Sequence, residues 1–259
     1  MNCLINVGRR IYSDYLMPDR TADYEALLRA AIGAGYVLMS VRDFIDLGQV
    51  GPQRIMVLRH DIDTDPATAR RLFEIERSLG GRASYYFRLT TLDTRLMVEL
   101  EEYGSEASYH FEEIADFVKL YGIHCPDQLR MRMEEVEDRF FINFTDIERR
   151  TGIKMRTVAS HGDFVNRKLG IINHELLRNA ALRQRCGITH EAYDPALMQR
   201  FNIYISDRAC PELYCPCSPV QAFGIHERIY FTSHPVHWRT NWRESSRHNL
   251  TRLLEAWSW

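Results

Sequence analysis

The stretch IMVLRHDID, residues 55–63, decides how the rest of the chain is read. Ile55 to Leu58 form a short apolar run without alternation, the mark of a strand buried on both faces, as in a parallel sheet. Polar residues arrive only at its C-terminal end. Asp61 and Asp63 stand two apart, so in extended chain both carboxylates leave the same side, with His60 and Ile62 on the other. Two such carboxylates repel. A divalent cation relieves the repulsion, binding one carboxylate and leaving the other as a general base. The structural alternative is that Asp63 or Asp65 caps the next helix while Asp61 pairs with Arg59 or Arg88.

Working outward, residues 65–81, DPATARRLFEIERSLGG, predict a helix starting near Asp65 and Pro66 and stopped by paired glycines. ASYYFRL, residues 83–89, follows as a strand. Upstream, TADYEALLRAAIGAG (21–35) predicts a helix capped by Thr21 or Asp23, with a short strand after it in YVLMSV (36–41). Downstream come a helix at 94–104, a strand in EASYH (106–110), and a long helical region at 127–152 that stops at Gly152. Further strands are predicted in MRTVASH (155–161), NIYIS (202–206) and RIYFTSH (228–234), then an amphipathic helix in NLTRLLEAWSW (249–259). Strands recurring between helices predict an α/β fold: one domain over residues 1–259, with a parallel sheet curled into a closed or nearly closed barrel.

The 259 residues, 45% of them hydrophobic, suffice for a substantial core. A formal charge of −2 gives no general attraction for nucleic acid or anionic lipid, and leaves room only for local patches. The first residues, MNCLINVGRRIYSDYLMPDR, lack the continuous apolar run of a signal peptide, and no transmembrane stretch is apparent, so a cytoplasmic location is expected and any membrane association would be peripheral. Six cysteines are too sparse for a disulfide framework. Cys3, Cys125 and Cys186 read as ordinary thiols. Cys210, Cys215 and Cys217 in ACPELYCPC read as loop thiols, because they lack paired zinc-site spacing.

The chemically suggestive residues share one address. Asp61 and Asp63, His110, His161 and His234 all fall at C-terminal ends of predicted strands, the face on which a parallel barrel assembles its site. Aspartate with imidazole suits zinc or a related transition metal.

Taken in order, RHDID, SYYFRL, ASYHFEE, ASHGD and FTSHPVHW resemble the polysaccharide deacetylase superfamily with the NodB-homology fold. They are most similar to its RHDxD-type members from bacterial surface-polysaccharide and O-antigen gene clusters. The resemblance spans roughly residues 20–240 and implies a distorted parallel (β/α) barrel. By position it makes Asp61 the catalytic base, Asp63 and His110 metal ligands, and His234 the general acid. It also implies a divalent metal ion, zinc by preference.

The family's second metal histidine would fall at Ile114. His161 is the preferred substitute, with Glu112 or Glu113 as alternatives. Arg59 and Arg88 are candidates to orient the base. Trp238 is expected to wall a sugar pocket, and His237 and Trp242 to serve packing. The implied activity is deacetylation of an N-acetylated sugar or sugar precursor. Two alternatives are a non-catalytic carbohydrate-binding protein on the same fold and an amidase for a non-sugar substrate.

Overall fold

The computed structural model describes residue 8 and residues 11–49 and 51–259. Cys3 lies outside the described residues.

The chain forms a curled, mostly parallel sheet, a half-barrel with helices packed on its outside. Its first units are helix α1 (Thr21–Gly33), β1 (Val37–Met39), β2 (Ile55–Ile62), α2 (Pro66–Ser78) and β3 (Ser84–Phe87). Next come α3 (Thr94–Tyr103), β4 (Glu106–Phe111), α4 (Glu113–Tyr121), α5 (Met133–Thr151) and β5 (Thr157–Ser160). Shorter pieces, β6 (His190–Glu191), β7 (Ile203–Asp207), β8 (Tyr214–Cys215) and β9 (Arg228–Ser233), lead to α6 (Trp242–Ser258).

The strand order is β6-β5-β4-β3-β2-β9-β7-β8. β1 shares an edge of β2 with β3, pairing with residues 55–57 while β3 pairs with residues 59–62. Among the described residues only β7 and β8 pair antiparallel. Among the described residues no pairing joins β6 to β8, so hydrogen bonds do not close the expected barrel. No described helix is long and apolar enough to cross a membrane.

β2 is buried along its whole length, as its apolar run predicts. Its alternation divides the core into two layers. Ile55 and Val57 face the inside of the curl with Tyr86 and Tyr230, whereas Met56, Leu58 and Ile62 pack under the helices with Leu72 and Phe73. Asp65 caps α2, accepting from the Thr68 amide at 3.2 Å.

Two helix expectations need correction. Neither Thr21 nor Asp23 caps α1: Arg20 holds the cap position without a side-chain bond, and Asp19 just before it accepts from the amide and hydroxyl of Thr21 at 2.9 and 2.6 Å. The helical region after Asp127 is broken at Arg132 into Pro126–Met131 and α5.

Candidate metal centre

The end of β2 carries opposite functions on its two sides. Outward, His60 enters a buried network in which Glu76 bonds His60 Nε2 at 2.6 Å and accepts from the hydroxyls of Tyr24 and Tyr85. Inward, Arg59 grips Asp61 with two parallel bonds of 2.7 Å, Nε to Oδ1 and Nη2 to Oδ2. The Arg59 guanidinium lies 4.1 Å from the centre of the Tyr193 ring, which offsets part of its desolvation. Burial would raise the Asp61 carboxyl, but Arg59, His110 and His234 outweigh it and hold the group below its usual range.

Asp63, just beyond the strand, faces a cleft. Its Oδ1 lies 3.2 Å from His110 Nε2 and 3.5 Å from His161 Nε2. Ligand atoms of these three residues all lie within 4.8 Å of one another. His110 Nδ1 sits 3.0 Å from the Ala159 carbonyl, which can only accept, so Nδ1 carries the proton and Nε2 turns a lone pair toward Asp63. His161 Nδ1 is 3.0 Å from Glu112 Oε2, off the line of an N–H bond. Asp63 Oδ1 is buried and has no hydrogen-bond partner. A carboxylate oxygen left bare between two imidazole nitrogens is a fit for a first-row divalent cation, with Asp63, His110 and His161 as ligands. Burial raises the Asp63 carboxyl, yet the charges of His161 and His234 hold it well below the usual range.

Ile114 is fully buried in the core layer under the helices, on α4, so that position points away from the cup. His161 stands in the group instead. Its backbone amide bonds the Phe111 carbonyl at 2.8 Å, which holds the end of β5 against the end of β4. Neither glutamate alternative joins the ligands. Glu112 is held by Arg88 through two 2.7 Å bonds and buttresses His161. Glu113 faces Tyr109 and Asn143 on the outer side. Arg88 therefore orients Glu112, not Asp61, and of the two candidate arginines only Arg59 touches Asp61.

His234, at the end of β9, meets a residue that sequence reasoning missed. Asp207, the last residue of β7, accepts from His234 Nδ1 at 2.6 Å and from the His234 amide at 2.7 Å. Burial would lower the imidazole, but Asp207, Asp63 and Asp61 push it up to about 10, so it is protonated at neutral pH. Its Nε2 faces Asp63 Oδ2 at 4.0 Å. The signal for Asp207 was present: it follows NIYIS at a predicted strand end, the same address as the other site residues.

Three further expectations change. Trp238 is buried in the core rather than walling a pocket; its indole N–H bonds Ser233 Oγ, which contacts Asp207 Oδ2 at 3.2 Å. His237 is no packing residue, because its Nδ1 lies 3.1 Å from Asp207. Trp242 is exposed.

Two clefts meet at Asp63 and Thr64. One, of about 350 Å³, runs past Arg88, Glu112, His161 and His248. The other, of about 550 Å³, runs past Asp207, His234 and His237. The cysteine segment 210–217 supplies no member of any group of described residues able to hold a metal. The centre thus gathers a three-donor cup, an ionised carboxylate and a protonated imidazole around one space. No model of a known protein family matches the chain, and no curated protein matches it.

Proposed function

We propose that the protein is a metal-dependent hydrolase that removes the acetyl group from an N-acetylated sugar, a precursor of bacterial surface polysaccharide, as the resemblance of its motifs implies. The observation that carries this reading is the arrangement around Asp63: a cation cup flanked by a clamped base, Asp61, and a protonated acid, His234. A zinc or similar ion bound by Asp63, His110 and His161 would supply Lewis acidity, polarising the acetyl carbonyl and acidifying the attacking water.

Asp61 takes the proton of that water. Its Oδ2 is the oxygen nearer the cup, 3.7 Å from His110 Nε2. Arg59 fixes the direction of transfer and also weakens the base, so the step depends on a water more acidic than bulk. As the new C–O bond forms and the C–N bond breaks, His234 Nε2 gives its proton to the departing amine. Asp207 serves the acid by holding Nδ1 and so aiming Nε2 into the cleft. The products are acetate and a free amino sugar. The size and polar lining of the clefts suit a sugar unit with its carrier. The non-catalytic alternative began from Ile114, and the donor set has three members without that position.

The test combines metal analysis with acetate release from nucleotide-linked, lipid-linked and polymeric N-acetylated sugars. Stoichiometric acetate and amine from one class is the expected result. Metal-loaded protein that releases acetate from none of them would refute the proposal, and equal rates on simple non-sugar acetamides would favour the amidase.

A further inference from the structure

The last helix, α6, carries its amphipathic pattern the wrong way round for a helix packed on a domain. Its polar residues Ser245, His248 and Arg252 line the clefts. Its apolar residues face out: Trp257 is 88% exposed, Leu253 68% and Leu250 58%, with Trp242 and Leu254 also exposed. At about 100° per residue these five share roughly one third of the helix circumference. The segment Tyr12–Leu16 extends the patch with Tyr12, Tyr15 and Leu16, and is tied to α6 by Asn249 Nδ2, which donates to Asp14 Oδ2 at 2.9 Å and to Tyr15 Oη at 3.2 Å.

We propose that this face docks the protein on the surface of an anionic lipid bilayer. Charge selects that occupant. Arg243 falls within the apolar sector and Arg247 at its edge, where it also lines the first cleft, and neither forms an ion pair with a described residue; Arg243 lies against the Trp242 ring, 5.3 Å from its centre. The helix's carboxylates, Glu244 and Glu255, lie toward the cleft, where Lys119 holds Glu255 at 3.1 Å.

A two-fold contact with a second copy would set this arginine-bearing face against itself, and Asp14, the carboxylate of the adjoining segment, is already engaged by Asn249. A bilayer supplies an apolar layer for the leucines and anionic headgroups for the arginines. Trp242 and Trp257, at the two ends of the helix, have the amphipathic rings that settle at headgroup level. Docked this way, the clefts lie within about one helix diameter, roughly 10 Å, of the membrane surface. A lipid-borne sugar would then reach Asp63 without leaving that surface; this corollary rests on the proposed function, whereas docking does not.

The test uses the full chain with vesicles of phosphatidylcholine alone or mixed with phosphatidylglycerol, read by co-sedimentation. Binding to the anionic vesicles is expected, reduced by salt and about fivefold weaker for each of Arg243→Gln and Arg247→Gln. Leu253→Ser with Trp257→Ser should weaken it at least about tenfold, with circular dichroism and metal content unchanged. Failure to sediment with anionic vesicles, or equal binding to both kinds, overturns the proposal. So does a wild-type dimer that the Leu253→Ser/Trp257→Ser protein fails to form, since the face would then belong to a second copy.

Discussion

Raising the pH should destabilise this protein through Glu113, a carboxyl outside the reacting cleft. It is buried at the start of α4, accepts from Tyr109 Oη and from Asn143 Nδ2 at 3.0 Å, and leaves Oε2 with no partner. Burial pushes it from 4.5 up to about 7, and the two bonds only partly offset that. The folded state thus holds the proton more tightly than the unfolded chain. This stabilising contribution is complete below 4.5 and is lost as pH rises through about 7.

At 1.36 kcal/mol per unit, the difference comes to about 3 kcal/mol once both states are ionised. Glu113→Gln keeps the shape and the accepting oxygen but cannot ionise. Urea unfolding should place variant and wild type within about 1 kcal/mol at about pH 5, and the variant ahead by about 2–3 kcal/mol more at about pH 9. Titrations common to both proteins cancel in the difference. A difference that stays flat between these pH values would refute the argument. The matter bears on the site because Glu113 follows Glu112, the buttress of His161, and Tyr109 precedes His110.

Asp61→Asn should cut turnover about 10²–10⁴-fold while metal content, measured by atomic emission, stays at the wild-type level; undiminished acetate release would remove Asp61 as the proposed base. Asp207→Asn should lower kcat by a comparable factor of about 10²–10⁴ with metal content intact, and an unchanged rate would show that His234 needs no carboxylate behind it. His161→Ala should weaken metal binding about tenfold or more in competition with a chelator, whereas Ile114→His should not strengthen it, because that position is buried away from the cup. Wild-type metal affinity in His161→Ala would exclude it as a ligand.

The unit from β2 to β3 was legible because an unbroken apolar run, a Pro at the helix start and paired glycines at its end each act locally. The sequence set no bounds for α4, the helix after His110. It begins two residues after β4 ends, and its first position has no side-chain cap to announce it. β6 and β8 are two residues each, too short for periodicity to register. The extent of curling was illegible for another reason: closure depends on whether the two edge strands, β6 and β8, meet, and strands this short carry no pairing signal. For the site, strand ends located Asp61, Asp63, His110, His161 and His234. They did not tell which way Arg88 or Trp238 would turn, since a long side chain answers to neighbours that only the folded chain brings near.

The segment Arg59-His60-Asp61 explains why Asp61 needs no distant partner to orient it. Residues two apart on a strand share a face, so Arg59 and Asp61 meet within β2 itself, and the planar guanidinium matches both carboxylate oxygens. His60 is sent through the sheet to Glu76 by the same alternation. Burying this ion pair is costly unless each charge is matched, and here Tyr193 lies against the outer face of the guanidinium while the cup opens beside the carboxylate. Lysine at position 59 would keep the charge and lose the fork, leaving one carboxylate oxygen without its donor and Asp61 free to rotate. The position therefore demands arginine for geometry more than for charge.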